Sequence, residues 1–124
     1  MAIRRKTAVA DGLAAVELLR AEYLNNLDAA PRPTITTAVR FLLEELAERA
    51  PGNSVEVRVP PLGAVQCVEG PRHTRGTPPN VVELTPEVWL GLALGSLDWA
   101  AALEAGVIAA SGVRADLAGM LPLF

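Results

Sequence analysis

Residues 80–121 read NVVELTPEVWLGLALGSLDWAAALEAGVIAASGVRADLAGML, and their reading decides the fold. Asn80 to Leu84 is a short run rich in strand-favouring residues. Thr85-Pro86 reads as a helix start: Thr caps the first orphan amides, and Pro at the first helical position loses no needed donor. Val88 to Leu94 carries no charge, so this helix is apolar nearly all round and must be buried or line an apolar space. Gly95 closes it with a left-handed cap. Asp98 caps a second short helix, Trp99 to Ala105, closed in the same way by Gly106. Val107 to Ser111 reads as a strand ended by Gly112. Val113 to Leu121 reads as a last helix, with Leu117, Met120, Leu121 and Phe124 at helical spacing.

Working outward, Ser54 to Val59 is the cleanest strand: Val55, Val57 and Val59 point one way, Glu56 and Arg58 the other. Pro60-Pro-Leu-Gly63 is a turn, and Ala64 to Glu69 returns to form an antiparallel hairpin. Residues 70–79, GPRHTRGTPP, hold two Gly and three Pro and read as the longest loop. Upstream, Asp11 is a candidate cap for a helix to about Asn25, with Leu13, Val16, Leu19 and Tyr23 on one stripe. Asn26 to Pro33 is a linker. Thr34 opens a second helix that Pro51-Gly52 ends, with Ile35, Val39, Leu42, Leu46 and Ala50 on its buried face. Its charges, Arg40, Glu44, Glu45, Glu48 and Arg49, read as a solvated face with Arg40/Glu44 and Glu45/Arg49 four apart.

The order strand, helix, glycine, helix, glycine, strand, glycine, apolar helix resembles the C-terminal half of the sterol carrier protein (type-two) family. Gly95-Ser-Leu-Asp98, Gly106-Val-Ile108 and Ser111-Gly112 sit where that pattern places them. The resemblance is clearest over residues 80–124, extends back to Ser54, and is closest to a small bacterial sterol-carrier-like branch. It implies a single domain over 1–124, with a helical part at 1–50 and the sheet and C-terminal helices at 54–124. The expected class is α+β: a largely antiparallel four- to five-stranded sheet covered on one face by about five helices. The shortened sheet and two-helix beginning depart from the family's usual pattern.

Composition sets the remaining limits. At 124 residues the chain can bury about two-thirds of its unfolded surface. Half the residues are apolar, but many are alanine, and only two Trp, two Phe and one Tyr are aromatic. A net charge of −3 argues against a generic nucleic-acid binder. One cysteine leaves no disulfide framework and points to a reducing compartment. Ile3-Arg-Arg-Lys6 lacks an apolar segment after it, and no apolar run approaches the roughly 20 residues that span a bilayer, so a cytoplasmic location is expected.

Chemistry finds little to use. One His and one Cys cannot supply a signature metal site, and no glycine-rich phosphate loop is present, so no cofactor is expected. Cys67 pairs with His73 only if the loop folds back; beside Val65 and Val68 it reads as core. Arg72, His73 and Arg75 share the long loop without an acid between them. They read either as an ordinary solvated loop or as the holder of an anionic head group, as on a lipid or an acyl-CoA.

Trp89, Leu92, Trp99, Leu103, Leu117, Met120, Leu121 and Phe124 read by pattern as core. The resemblance implies a second use, as the lining of a lipophilic tunnel between sheet and helices. The function expected is therefore non-enzymatic carriage of an apolar small molecule. The alternative is a structural or partner-binding module with a filled core. Related domains also occur in thiol-dependent isomerases, but those use a His cluster, and residues 1–50 contain no His.

Overall fold

A computed structural model describes residues 5–70 and 80–124. Helix α1 (Val9–Leu18) runs on through a wider π-type turn at Leu19–Tyr23. A 3-10 turn (Leu27–Ala29) leads to α2 (Arg32–Arg49). Strands β1 (Val55–Val59), β2 (Gly63–Cys67) and β3 (Val81–Glu83) follow, then α3 (Pro86–Leu94), α4 (Trp99–Glu104) and β4 (Ala109–Ser111). The class is α+β, as expected.

The sheet order is β2-β1-β3-β4. β1 pairs antiparallel with β2 and parallel with β3, and β4 lies antiparallel to β3. The alternation of β1 fixes the register: Val57 sits opposite both Val65 and Val82, and Val55, Val57 and Val59 are fully buried. Four strands lie among the described residues; residues 71–79, where a fifth would fall, lie outside them. Asn80 locks the entry to β3. Its side chain donates to Ser54 O (2.8 Å) and accepts from Arg114 N (2.9 Å), and its carbonyl accepts from Glu56 N (2.9 Å).

The N-terminal elements differ from expectation in both helices, and Asp11 lies inside the first turn of α1 rather than capping it. The buried face of α1 is Gly12, Ala15, Val16 and Leu19, while Leu13 is 44% exposed. The face turns because the Phe41 ring lies directly on Gly12, where a Cβ would come within 2.2 Å of the ring. Only glycine allows that approach. α2 packs on α1, β2 and α3, and begins at Arg32 rather than Thr34, with Pro33 in its first turn where no donor is lost. Its buried face is broader than a stripe, adding Ala38, Phe41, Leu43 and Ala47 to the predicted set, while Ala50 is half-buried at its end.

The caps around α3 and α4 form as predicted. Thr85 accepts from Val88 N (3.3 Å) and Asp98 from Ala101 N (3.1 Å), and Gly95 and Gly106 take positive φ (88° and 74°). The expected last helix does not form. From Val113 the chain is irregular, with one 3-10 turn at Ala118–Met120, so the helices number four among the described residues rather than about five. Gly112 turns the chain at φ 96°, Gly119 adds no helix stability, and Pro122 cannot donate to a ladder. The segment is anchored instead by Leu117 and Leu123, both buried in the core.

Two outcomes follow from this packing. Replacing Gly95 by Ala forces a side chain into the left-handed region, while the new Cβ meets Pro122 only at ordinary contact distance (3.5 Å). Gly95→Ala should lower stability by about 1–2 kcal/mol in chemical denaturation, the cost of the backbone alone. Cys67 is buried in the core, and that burial pushes its thiol up to about 12. At pH 8 the native protein should resist iodoacetamide, with alkylation tracking unfolding.

Candidate functional site

The predicted lining residues fall into three groups. Trp89, Leu92 and Leu117 are almost wholly shut off from solvent, and Trp99 is 6% exposed. Met120 and Leu121 are half-buried against the same core. Leu103 and Phe124 sit at the surface, at 44% and 37% exposure. Leu103 faces out because α4 is only six residues long and buries just Trp99 and Ala102. Trp89 is the most constrained: its indole N–H donates to Val39 O on α2 at 3.3 Å, which satisfies the one polar atom of a side chain with no access to water.

Three of the eight meet at one place. A depression of about 220 Å³ opens between α3, α4 and the terminal segment, and Leu92, Trp99 and Leu121 line it. Leu97 and Asp98 form its rim where α3 turns into α4, and Ala118 and Pro122 close it from the terminal segment. Leu97 is set there by the turn itself, its N–H reaching back to Gly91 O at 3.0 Å. Sequence reading missed Leu97 and Pro122. The available signal was an apolar residue in the four-residue connection between two capped helices, where polar residues are usual.

A larger depression, about 460 Å³, lies at an end of the sheet between Pro60, Leu84, Pro86 and Val107–Ala109. It holds none of the predicted residues and is open along the surface, with Glu83 in its wall. The smaller one is favoured as the site because Leu92, Trp99 and Leu121 meet there. Arg72, His73 and Arg75, the candidate head-group residues, lie outside the described residues.

The terminal segment that walls the smaller depression is pinned near its end. Leu123 N and Phe124 N both donate to Ala93 O at the end of α3 (2.8 and 3.2 Å). Arg49 Nη1 donates to Leu123 O, and the Arg49 guanidinium lies 4.9 Å over the Phe124 ring. Phe124 in turn stacks on Phe41, with ring centroids 6.2 Å apart.

The charges of α2 thus do more than face solvent. Glu45 accepts from both Arg5 (2.5 Å) and Arg49 (2.8 Å). Burial pushes its carboxyl up, but the bonds from Arg5 and Arg49 and their charges outweigh this and hold it below the usual carboxylate value. Glu44, expected on the solvated face paired to Arg40, is buried and accepts instead from Lys6 N (2.9 Å) and Thr7 N (3.1 Å). Arg40 donates to Leu62 O (2.8 Å). The predicted Glu45/Arg49 pair does form.

Among the described residues no group of His, Cys, Asp or Glu is arranged to hold a metal. No helix among them is long and apolar enough to cross a membrane. No curated protein matches the sequence. Residues 31–123 match the family described as bacterial SCP ortholog, SCP being the sterol carrier protein, which covers α2, the whole sheet and the segment that walls the depression. The chain therefore belongs to the bacterial branch of the sterol carrier protein family.

Proposed function

We propose that the protein binds and carries an apolar or amphipathic small molecule, a lipid, a sterol-like ring system or a fatty acyl compound, and does no chemistry on it. The observation that carries this reading is the depression lined by Leu92, Trp99 and Leu121 beneath a terminal segment without regular helix. At about 220 Å³ it is smaller than the roughly 300–1,000 Å³ that encloses a drug-sized ligand, so it takes one apolar end as it stands. Outward movement of Ala118–Pro122 would lengthen it into the tunnel between sheet and helices that the sequence resemblance implies. Leu103 and Phe124 would then touch the ligand at the rim, and Arg72, His73 and Arg75 would meet an anionic head group. Burying about 300 Å² of apolar ligand surface contributes several kcal/mol, at roughly 25 cal/mol per Å², before ordering costs. No cofactor is needed. The lone buried cysteine suits a cytoplasmic setting.

A second reading rests on its own observation. Trp89 and Leu117 are fully buried and the Trp89 N–H is already satisfied, as in a filled core that serves as a structural or protein-partner module.

One experiment separates the two. Native mass spectrometry and equilibrium dialysis with palmitate, palmitoyl-CoA and a sterol should show one bound species. Ala118→Trp, which fills the depression from its exposed wall, should weaken that binding about tenfold or more, a loss of about 1.4 kcal/mol, while leaving the melting temperature nearly unchanged. Absence of any bound species from the wild-type protein overturns carriage. A single stable protein partner in the same preparation would then support the second reading.

A further inference from the structure

We infer that Glu45 is a latch residue: its one carboxylate ties the first described residues of the chain to the segment that walls the depression, so that the wall is released when either arginine lets go. This concerns the control of the site proposed above and rests on that reading for its meaning, though not for its test.

The connections run through named atoms. On one side, Arg5 Nη2 bonds Glu45 Oε1 (2.5 Å) and Arg5 Nε bonds Glu48 Oε2 (2.8 Å). The Arg5 guanidinium also lies 5.4 Å over the Phe41 ring. On the other side, Arg49 Nε bonds Glu45 Oε2 (2.8 Å) while Nη1 holds Leu123 O. Phe41 and Phe124 stack on each other, and one guanidinium lies over each ring of the pair. Arg5 and Leu123 O thus share no direct bond but are joined through Arg49 and the Glu45 carboxylate.

The physics makes this a light latch rather than a rivet. The Glu45 side chain is 17% exposed and those of Arg5 and Arg49 are 20% and 44% exposed, so each ion pair is individually weak. Their effect comes from sharing. With Arg5 bound to one oxygen, Glu45 is fixed in the rotamer that presents the other oxygen to Arg49, and Arg49 then meets Leu123 O without further ordering. Groups in one network couple, and their losses do not add as independent ones do. Glu44 reinforces the near side, because it binds the amides of Lys6 and Thr7 and keeps Arg5 within reach.

Hydrogen exchange at the Leu123 amide reads the latch directly, because that N–H is protected by Ala93 O only while the segment is seated. Arg5→Met, Arg49→Met and Glu45→Gln should each speed exchange at Leu123 by about two- to fivefold. The Arg5→Met/Arg49→Met double variant should be no faster than the faster single one. Exchange at Val57 in β1 should stay unchanged in all of them and reports that the fold is intact. Arg5→Met leaving Leu123 unmoved, or the two single effects multiplying in the double variant, would overturn the latch. If a variant also speeds Val57, Arg5→Lys, which keeps the charge but loses the fork, replaces it and should still speed Leu123. None of these measurements uses a ligand, so their failure leaves carriage standing, and an absent ligand leaves the latch standing.

Discussion

An indole N–H shut away from water must find an acceptor, and that of Trp89 finds the carbonyl of Val39. This single bond sets the distance between α3 and α2 at the centre of the molecule. The burial of the ring contributes on the order of 3 kcal/mol, but only if the N–H is satisfied, since an orphaned donor there would cost about 1–3 kcal/mol. α3 is therefore fixed in rotation as well as position. With Trp89 turned toward α2, Leu92 faces the depression and Ala93 O is presented to the terminal segment. The geometry of the candidate site descends from one core contact.

The parts of the fold legible in the sequence are those whose causes are local. Thr85, Asp98, Gly95 and Gly106 act within one turn of the residues they cap, so their meaning can be read in place. The Val-x-Val-x-Val of β1 is legible for the same reason, because a half-buried strand repeats every two residues whatever it packs on. The last helix was misread because Leu117, Met120, Leu121 and Phe124 carry helical spacing by accident of a different arrangement. In the folded chain Leu117 and Leu123 are the anchors, six residues apart, and the backbone between them makes one 3-10 turn and then extends at Leu121. Periodicity does not show which apolar residues of a short segment reach the core.

The site was legible only as a neighbourhood. Leu92, Trp99 and Leu121 do meet, whereas Leu97 and Pro122 earn their place through the turn between two helices and through the path of the terminal segment. The network around Glu45 was illegible for a plainer reason. The pairing of Arg5 with Glu45 spans 40 positions, and that of Arg49 with Leu123 O spans 74. Charges at helical spacing suggest local pairs, which is how Glu45 and Arg49 were found and how Glu44 was misassigned. Nothing in the local pattern says that the chain before α1 returns to lie along α2.

An irregular terminal segment suits a movable wall better than a helix would. A helix over 113–121 would carry its own ladder and move only as a body. The observed segment holds itself by short turns instead of a ladder: Ala115 N to Gly112 O (3.3 Å), Asp116 N to Arg114 O (2.8 Å), Ala118 N to Asp116 Oδ1 (2.8 Å) and Met120 N to Leu117 O (3.0 Å), with Leu123 and Phe124 N both on Ala93 O. Each such bond contributes about 0.5–1.5 kcal/mol net. Leu117 and Leu123 each gain roughly 1.5–3 kcal/mol by burial. The two ends of the strap are therefore held more firmly than its middle, and the middle, Ala118 to Pro122, is the stretch that faces the depression. The Leu123 end is the one that draws on Arg49, and through it on Glu45 and Arg5. A wall built this way yields first along Ala118 to Pro122, without disturbing Leu117 or the Trp89 contact beneath it.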